Sequence, residues 1–115
     1  MMKSFVLVVA LALAGSNAAA VLFDGNELLR RLQSSSPVDR AAAVGYVASI
    51  SDTNEAFFVT NAVGPFLCFA IPAGVTADQL GDIARTWLEK NPAVRGENAI
   101  SLVSRAFAES YPCKK

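Results

Sequence analysis

Residues 75–92 read VTADQLGDIARTWLEKNP. Leu80, Ile83, Ala84, Trp87 and Leu88 fall at i, i+3, i+4, i+7 and i+8, the spacing of one helical face. Thr76, with Gln79 three residues on, forms a capping-box pattern. Each of its side chains would satisfy a backbone N–H left free by the first helical turn. Asp78 and Asp82 sit near the positive end of the helix dipole and Lys90 near the negative end. Asn91-Pro92 ends the helix, because proline pushes the residue before it out of helical geometry. The segment predicts an amphipathic helix whose apolar face other elements must cover.

The covering elements also read as helices. In FDGNELLRRLQSSSP (23–37), Asp24 is the expected N-cap, Glu27 follows three residues later, and Leu28, Leu29 and Leu32 make an apolar stripe. A second helix starts with Ser36 as N-cap, Pro37 at the first helical position and Asp39 in the first turn. It carries Val44, Val47, Ala48 and Ser51 at helical spacing. Small residues (Ala41, Ala42, Ala43, Gly45, Ala48, Ser49) would let another helix come close. Gly45 disfavours a helix interior by about 1 kcal/mol relative to alanine, so it signals a close contact or a break. The last helix lies in RGENAISLVSRAFAESYPC (95–113), with Ile100, Val103, Ala106 and Phe107 on one face and Pro112 as terminator.

The stretch between helices two and three is ambiguous. Phe57-Phe58-Val59 and Phe66-Leu67-Cys68-Phe69 are β-prone, and Asn61 to Pro65 can turn between them. That predicts a short hairpin-like excursion around residues 57–71. The alternative is a frayed helix end followed by an extended segment packed on the core. The expected fold is all-α: a small four-helix domain with one disulfide, and that excursion as its one irregular part.

The first twenty residues, MMKSFVLVVALALAGSNAAA, have the layout of a secretory signal peptide. Lys3 supplies the positive start, Phe5 to Ala14 the apolar run, and Ala18-Ala19-Ala20 the small residues of a cleavage site. A membrane-spanning helix needs roughly 20 apolar residues, and Gly15, Ser16 and Asn17 interrupt this run. The expected organisation is residues 1–20 as signal peptide and 21–115 as one helical domain, exported to the periplasm and free of the membrane after cleavage. The whole chain has ten basic and ten acidic residues. Lys3 leaves with the signal, so nine basic residues remain against ten acidic ones. With no basic surplus to neutralise phosphates, nucleic acid is not an expected partner.

Export decides how the two cysteines read. In an oxidising compartment a lone pair is a structural disulfide, so Cys68 and Cys113 are expected to be bonded. The bond would close a loop of about 46 residues, worth roughly 4 kcal/mol in the chain-entropy account. It would also tie down a chain end that otherwise frays.

The residues offer little for catalysis. The chain has no histidine, hence none of the commonest general base or metal ligand. It has no phosphate-binding loop and no nucleophile motif. The carboxylate pairs Asp52/Glu55 and Asp78/Asp82 are scattered, and the second lies where helix starts favour acids. Trp87 reads as core. No catalytic residue, metal or cofactor is expected. The phenylalanine-rich stretch reads either as core filling or as a segment that inserts into a partner.

Taken in order, DGNELLRRL, AAAVGYVASISD, CFAIPAGVTADQLGDIARTWLEKNP and AISLVSRAFAESYPC resemble the Rap/Tai immunity-protein family over Asp24 to Cys113. The most specific pieces are Gly45-Tyr46, the run CFAIPAGVT, Leu80, Trp87-Leu88, Pro92 and Pro112-Cys113. The resemblance implies a periplasmic, mainly helical protein associated with bacterial type VI secretion. It would plug the active-site cleft of a cell-wall-degrading amidase effector, often as a homodimer. Where family members often carry further cysteines this chain has Gln33 and Ala43, which removes one of the family's disulfides. On this reading the partner-binding residues are Phe57, Phe58, Asn61, Val63 and Phe66. The competing function is a periplasmic stress or chaperone-like helical binder.

Overall fold

The computed structural model of the chain describes residues 23–60 and 68–113, and for 56–60 the backbone alone. Four α-helices follow one another: α1 (Gly25–Leu32), α2 (Pro37–Thr60), α3 (Ala77–Lys90) and α4 (Ala99–Ser110), with a 3₁₀ turn at Pro92–Val94. There is no strand among the described residues. Two isolated antiparallel bridges, Asp24 with Asn98 and Phe69 with Pro112, close the irregular parts. The expected all-α, four-helix fold is observed. The expected signal peptide at 1–20 lies outside the described residues.

Each helix starts where its local chemistry places it. The α3 capping box is complete: the Gln79 amide donates to Thr76 Oγ1 at 3.2 Å, and the Thr76 amide donates to Gln79 Oε1 at 2.8 Å. At α1 only half of the box forms. The Glu27 amide donates to Asp24 Oδ1 at 2.8 Å, but the Glu27 carboxylate accepts from Arg30 and Arg31 instead of turning back. Asn98 caps α4 by accepting from the Ile100 amide.

Every helix packs against the other three. Leu28, Leu29 and Leu32 of α1, Ala43, Val47 and Ile50 of α2, and Leu80, Ala84 and Leu88 of α3 meet Leu102, Val103 and Phe107 of α4 in one apolar cluster. Two expectations shift here. Ile100, expected in the core, is 51% exposed, and Leu102 takes its place, because the buried stripe of α4 centres on Ala99, Leu102, Val103 and Ala106. Among the small residues at positions 41–49 of α2 only Ala43 is fully buried, while Ala41, Ala42, Gly45 and Ser49 face solvent.

The predicted hairpin strand at Phe57–Val59 is corrected: α2 continues through Thr60, so these residues are helical. Once a helix is running, each added residue gains a hydrogen bond, which outweighs a modest local β preference. Asn61–Leu67, the expected turn and most of the second strand, lie outside the described residues. Downstream, residues 68–72 form no helix and lead into a turn at Ala73-Gly74, with Phe69 4% exposed in the core, as the alternative reading expects.

Two glycines give opposite predictions. A Cβ on Gly25 would meet Leu102 Cδ1 at 2.5 Å and the Arg95 carbonyl oxygen at 2.9 Å. That carbonyl accepts from the Asn26 amide at 2.9 Å and cannot retreat freely. A Cβ on Gly45 would meet nothing within 4 Å. Gly25→Ala is therefore expected to destabilise the fold by about 1–3 kcal/mol. Gly45→Ala should stabilise it by up to about 1 kcal/mol. Urea denaturation midpoints for the two variants check both signs.

Candidate binding surface

An extended segment held at both ends frames the surface. Phe69 packs edge-on against Phe107, with ring centroids 5.3 Å apart. The amide of Ala70 donates to the Tyr111 carbonyl at 2.9 Å, and Asn54 Nδ2 reaches the Phe69 carbonyl at 3.5 Å. Cys68 and Cys113 are bonded, with Cα atoms 5.4 Å apart, a separation ordinary for a disulfide. The expected pairing is thus present, and it joins the end of α4 to the segment entering α3. Gly74, at φ 92°, makes the turn that feeds the α3 cap. Beside the bond, Ser51, Asn54, Glu55, Phe69, Ile71 and Cys113 line a groove of about 340 Å³.

Phe57 and Phe58 lie in the last turns of α2, where the backbone alone is described. Asn61, Val63 and Phe66 lie outside the described residues. The structure brings Cys68 and Cys113 together.

A second groove, of about 580 Å³, runs between α2 and α3. Leu32, Pro37, Val44 and Gly81 are among its lining residues, with Arg40, Asp78, Asp82 and Arg85 also along it. Val44 Cγ2 would lie 3.1 Å from a Cβ on Gly81, so the small residue at 81 lets the two helices meet. Val38, at the start of α2, is 77% exposed. The sequence carried no sign of this groove, because it forms only where two faces meet.

Trp87 is half-buried at the edge of the core, not fully inside it. Its indole N–H donates to Glu109 Oε2 at 2.8 Å across α3 and α4. Burying the ring while pairing its one donor is the usual resolution for tryptophan.

Charge on the body is arranged in short-range pairs. Glu27 accepts from Arg30 at 2.8 Å and from Arg31 at 3.0 Å. Hydrogen bonds from Arg30 and then Arg31 lower its pKa from 4.5 to about 2. Glu89 is lowered too, by its hydrogen bond from Arg85 and then by that from Gln33. Burial raises Tyr46, which stacks at 4.6 Å on Phe23. A depressed folded-state pKa favours the folded state above the unfolded pKa. That contribution is lost as pH falls towards the folded value. The Glu27 cluster should therefore support the fold above about pH 4.5 and stop doing so between there and about pH 2. Thermal melts across this window should show Glu27→Gln flattening the acid limb relative to the parent.

Among the described residues Glu27, Asp82, Glu89 and Glu97 pair with arginines, Asp24 and Asp39 accept local hydrogen bonds near helix starts, and no group of three or more potential metal ligands occurs. For binding, the surface offers a disulfide-stapled edge, the two grooves, and exposed apolar side chains at Val38 and Ile100.

Residues 24–113 match the family described as Rap1a immunity proteins. The chain belongs to this family. Neither the curated proteins nor the solved structures yielded a match. Rap1a immunity proteins are generally non-enzymatic, and membership makes this chain an immunity protein for a secreted effector, one that acts by binding it. The matched span begins at the Asp24 cap and ends at Cys113, so it takes in all four helices and both cysteines. No helix among the described residues is long and apolar enough to cross a membrane.

Proposed function

We propose that the chain is exported to the periplasm and there occludes a peptidoglycan amidase delivered by type VI secretion, protecting its producer from siblings. The family match over residues 24–113 carries the reading. The signal-like segment at 1–20 and the Cys68–Cys113 bond support the compartment, because disulfides persist where the surroundings are oxidising. Occlusion needs a rigid shape and a few buried anchors, and a preorganised surface lowers the ordering penalty of association. The contact residues proposed for it are Phe57, Phe58, Asn61, Val63 and Phe66. A second copy of the chain is a further proposed partner, and light scattering of the purified protein distinguishes one chain from two.

The test is competition in growth. A strain lacking the gene should lyse beside effector-producing siblings and be rescued by the exported chain, but not by one lacking residues 1–20. Survival of the deletion strain would overturn the immunity reading. Rescue by the leaderless chain would overturn the compartment. Hydrolysis of purified peptidoglycan by the co-purifying effector, unaffected by added protein, would remove the amidase from the proposal.

A further inference from the structure

We propose that the Cys68–Cys113 bond is a redox-operated clasp: opened by a dithiol, it frees residues 68–71 and 112–113 while the four-helix body stays folded. Three observations carry this. First, Cys68 is exposed, so a thiolate can approach the bond. Second, Phe69 is the only member of the buried core cluster contributed by residues 68–75; the others lie on α1–α4. Third, the segment and the tail are joined by a single isolated bridge, with the Ala70 amide on the Tyr111 carbonyl, and by Phe69 against Phe107.

The balance follows from these contacts. About six residues regain backbone freedom when the bond opens, against the buried Phe69 ring, the half-buried Ile71 packed on the core, the Ala70 backbone hydrogen bond and the one from Asn54 Nδ2 to the Phe69 carbonyl. Helices α1–α4 keep their own hydrogen bonds and their mutual packing. Reduction consumes one dithiol. Its two electrons break the Sγ–Sγ bond, its two protons go to Cys68 and Cys113, and the dithiol leaves as its own disulfide. The withdrawal of Phe69 uncovers the Phe107 ring, so the opened clasp presents an apolar surface that the closed one hides. If export is as proposed, the clasp is open in the reducing interior and shuts after transfer. That clause rests on the proposed compartment, whereas the test below does not.

The experiment compares amide spectra of the isotope-labelled mature chain before and after dithiothreitol, with Cys68→Ser/Cys113→Ser as a second route to the open state. The Ala70 amide should exchange at least roughly tenfold faster and shift towards coil values. The amides of Val47, Leu88 and Leu102 should keep their native shifts, and the helical circular dichroism should be unchanged. Anilinonaphthalene sulfonate fluorescence should rise in step. Loss of helical signal in either open form would mean that the bond holds the whole fold, and would overturn the clasp. An unmoved Ala70 amide, or a bond that dithiothreitol leaves intact, would overturn it equally.

Discussion

Phe107→Ala is expected to lower stability by about 3–5 kcal/mol. The ring is fully buried and is one of the largest side chains in the core. It meets Phe69 edge-on and lies in the cluster that α1, α2 and α3 share. Truncation removes the apolar area and leaves a cavity whose walls come from different helices. Such walls cannot all move inward without breaking their own packing. The segment entering α3 feels the change too, because the Phe69 ring loses its partner. Urea unfolding should show a lower midpoint at nearly unchanged slope. Phe107→Leu, which fills most of the space, should recover much of the loss. If Phe107→Ala falls within about 1 kcal/mol of the parent, the ring is not the centre of the core.

The second large effect concerns the disulfide. Cys68→Ser/Cys113→Ser is expected to lower global stability by about 4 kcal/mol, because a sequence separation of 45 closes a long loop in the unfolded chain. For a domain of this size that corresponds to a melting temperature lower by roughly 15–30 °C. The effect acts mainly on the unfolded ensemble, so at 25 °C the variant should still show native helical content. Small domains bury a limited core, and this one gains a large share of its margin from a single covalent bond. Calorimetry of the oxidised chain and the double variant measures the difference. Equal melting temperatures would mean that the bond constrains nothing the fold does not already hold.

Local signals made much of this molecule readable. The Thr76–Gln79 box, the Leu80-to-Leu88 stripe and the Asn91-Pro92 stop act within a turn or two of their own positions, and α3 appears where they place it. Ser36 and Pro37 likewise open α2. The cysteine pairing followed from a count of two and the expectation of export. The misreadings fall where longer-range terms compete. The β-prone Phe57–Val59 lies at the end of a 24-residue helix and stays helical. Ile100 and Leu102 are both apolar and two positions apart, so only the placement of α4 on its neighbours decides which is buried. Gly45 was read as a close contact or a break, yet the helix runs through it, the space beside it is open, and the tight fits belong to Gly25 and Gly81.

Helix identity, helix starts, the membership signal and the disulfide partners were determined by the sequence itself, because each depends on residue chemistry over a short span or on a simple count. Which face of α2 stays exposed, how the α2–α3 groove forms and how Phe69 is seated on Phe107 were decided by the tertiary structure alone. Those features arise from surfaces brought together by chain segments far apart in sequence. Their energies exist only after the loops between them have closed.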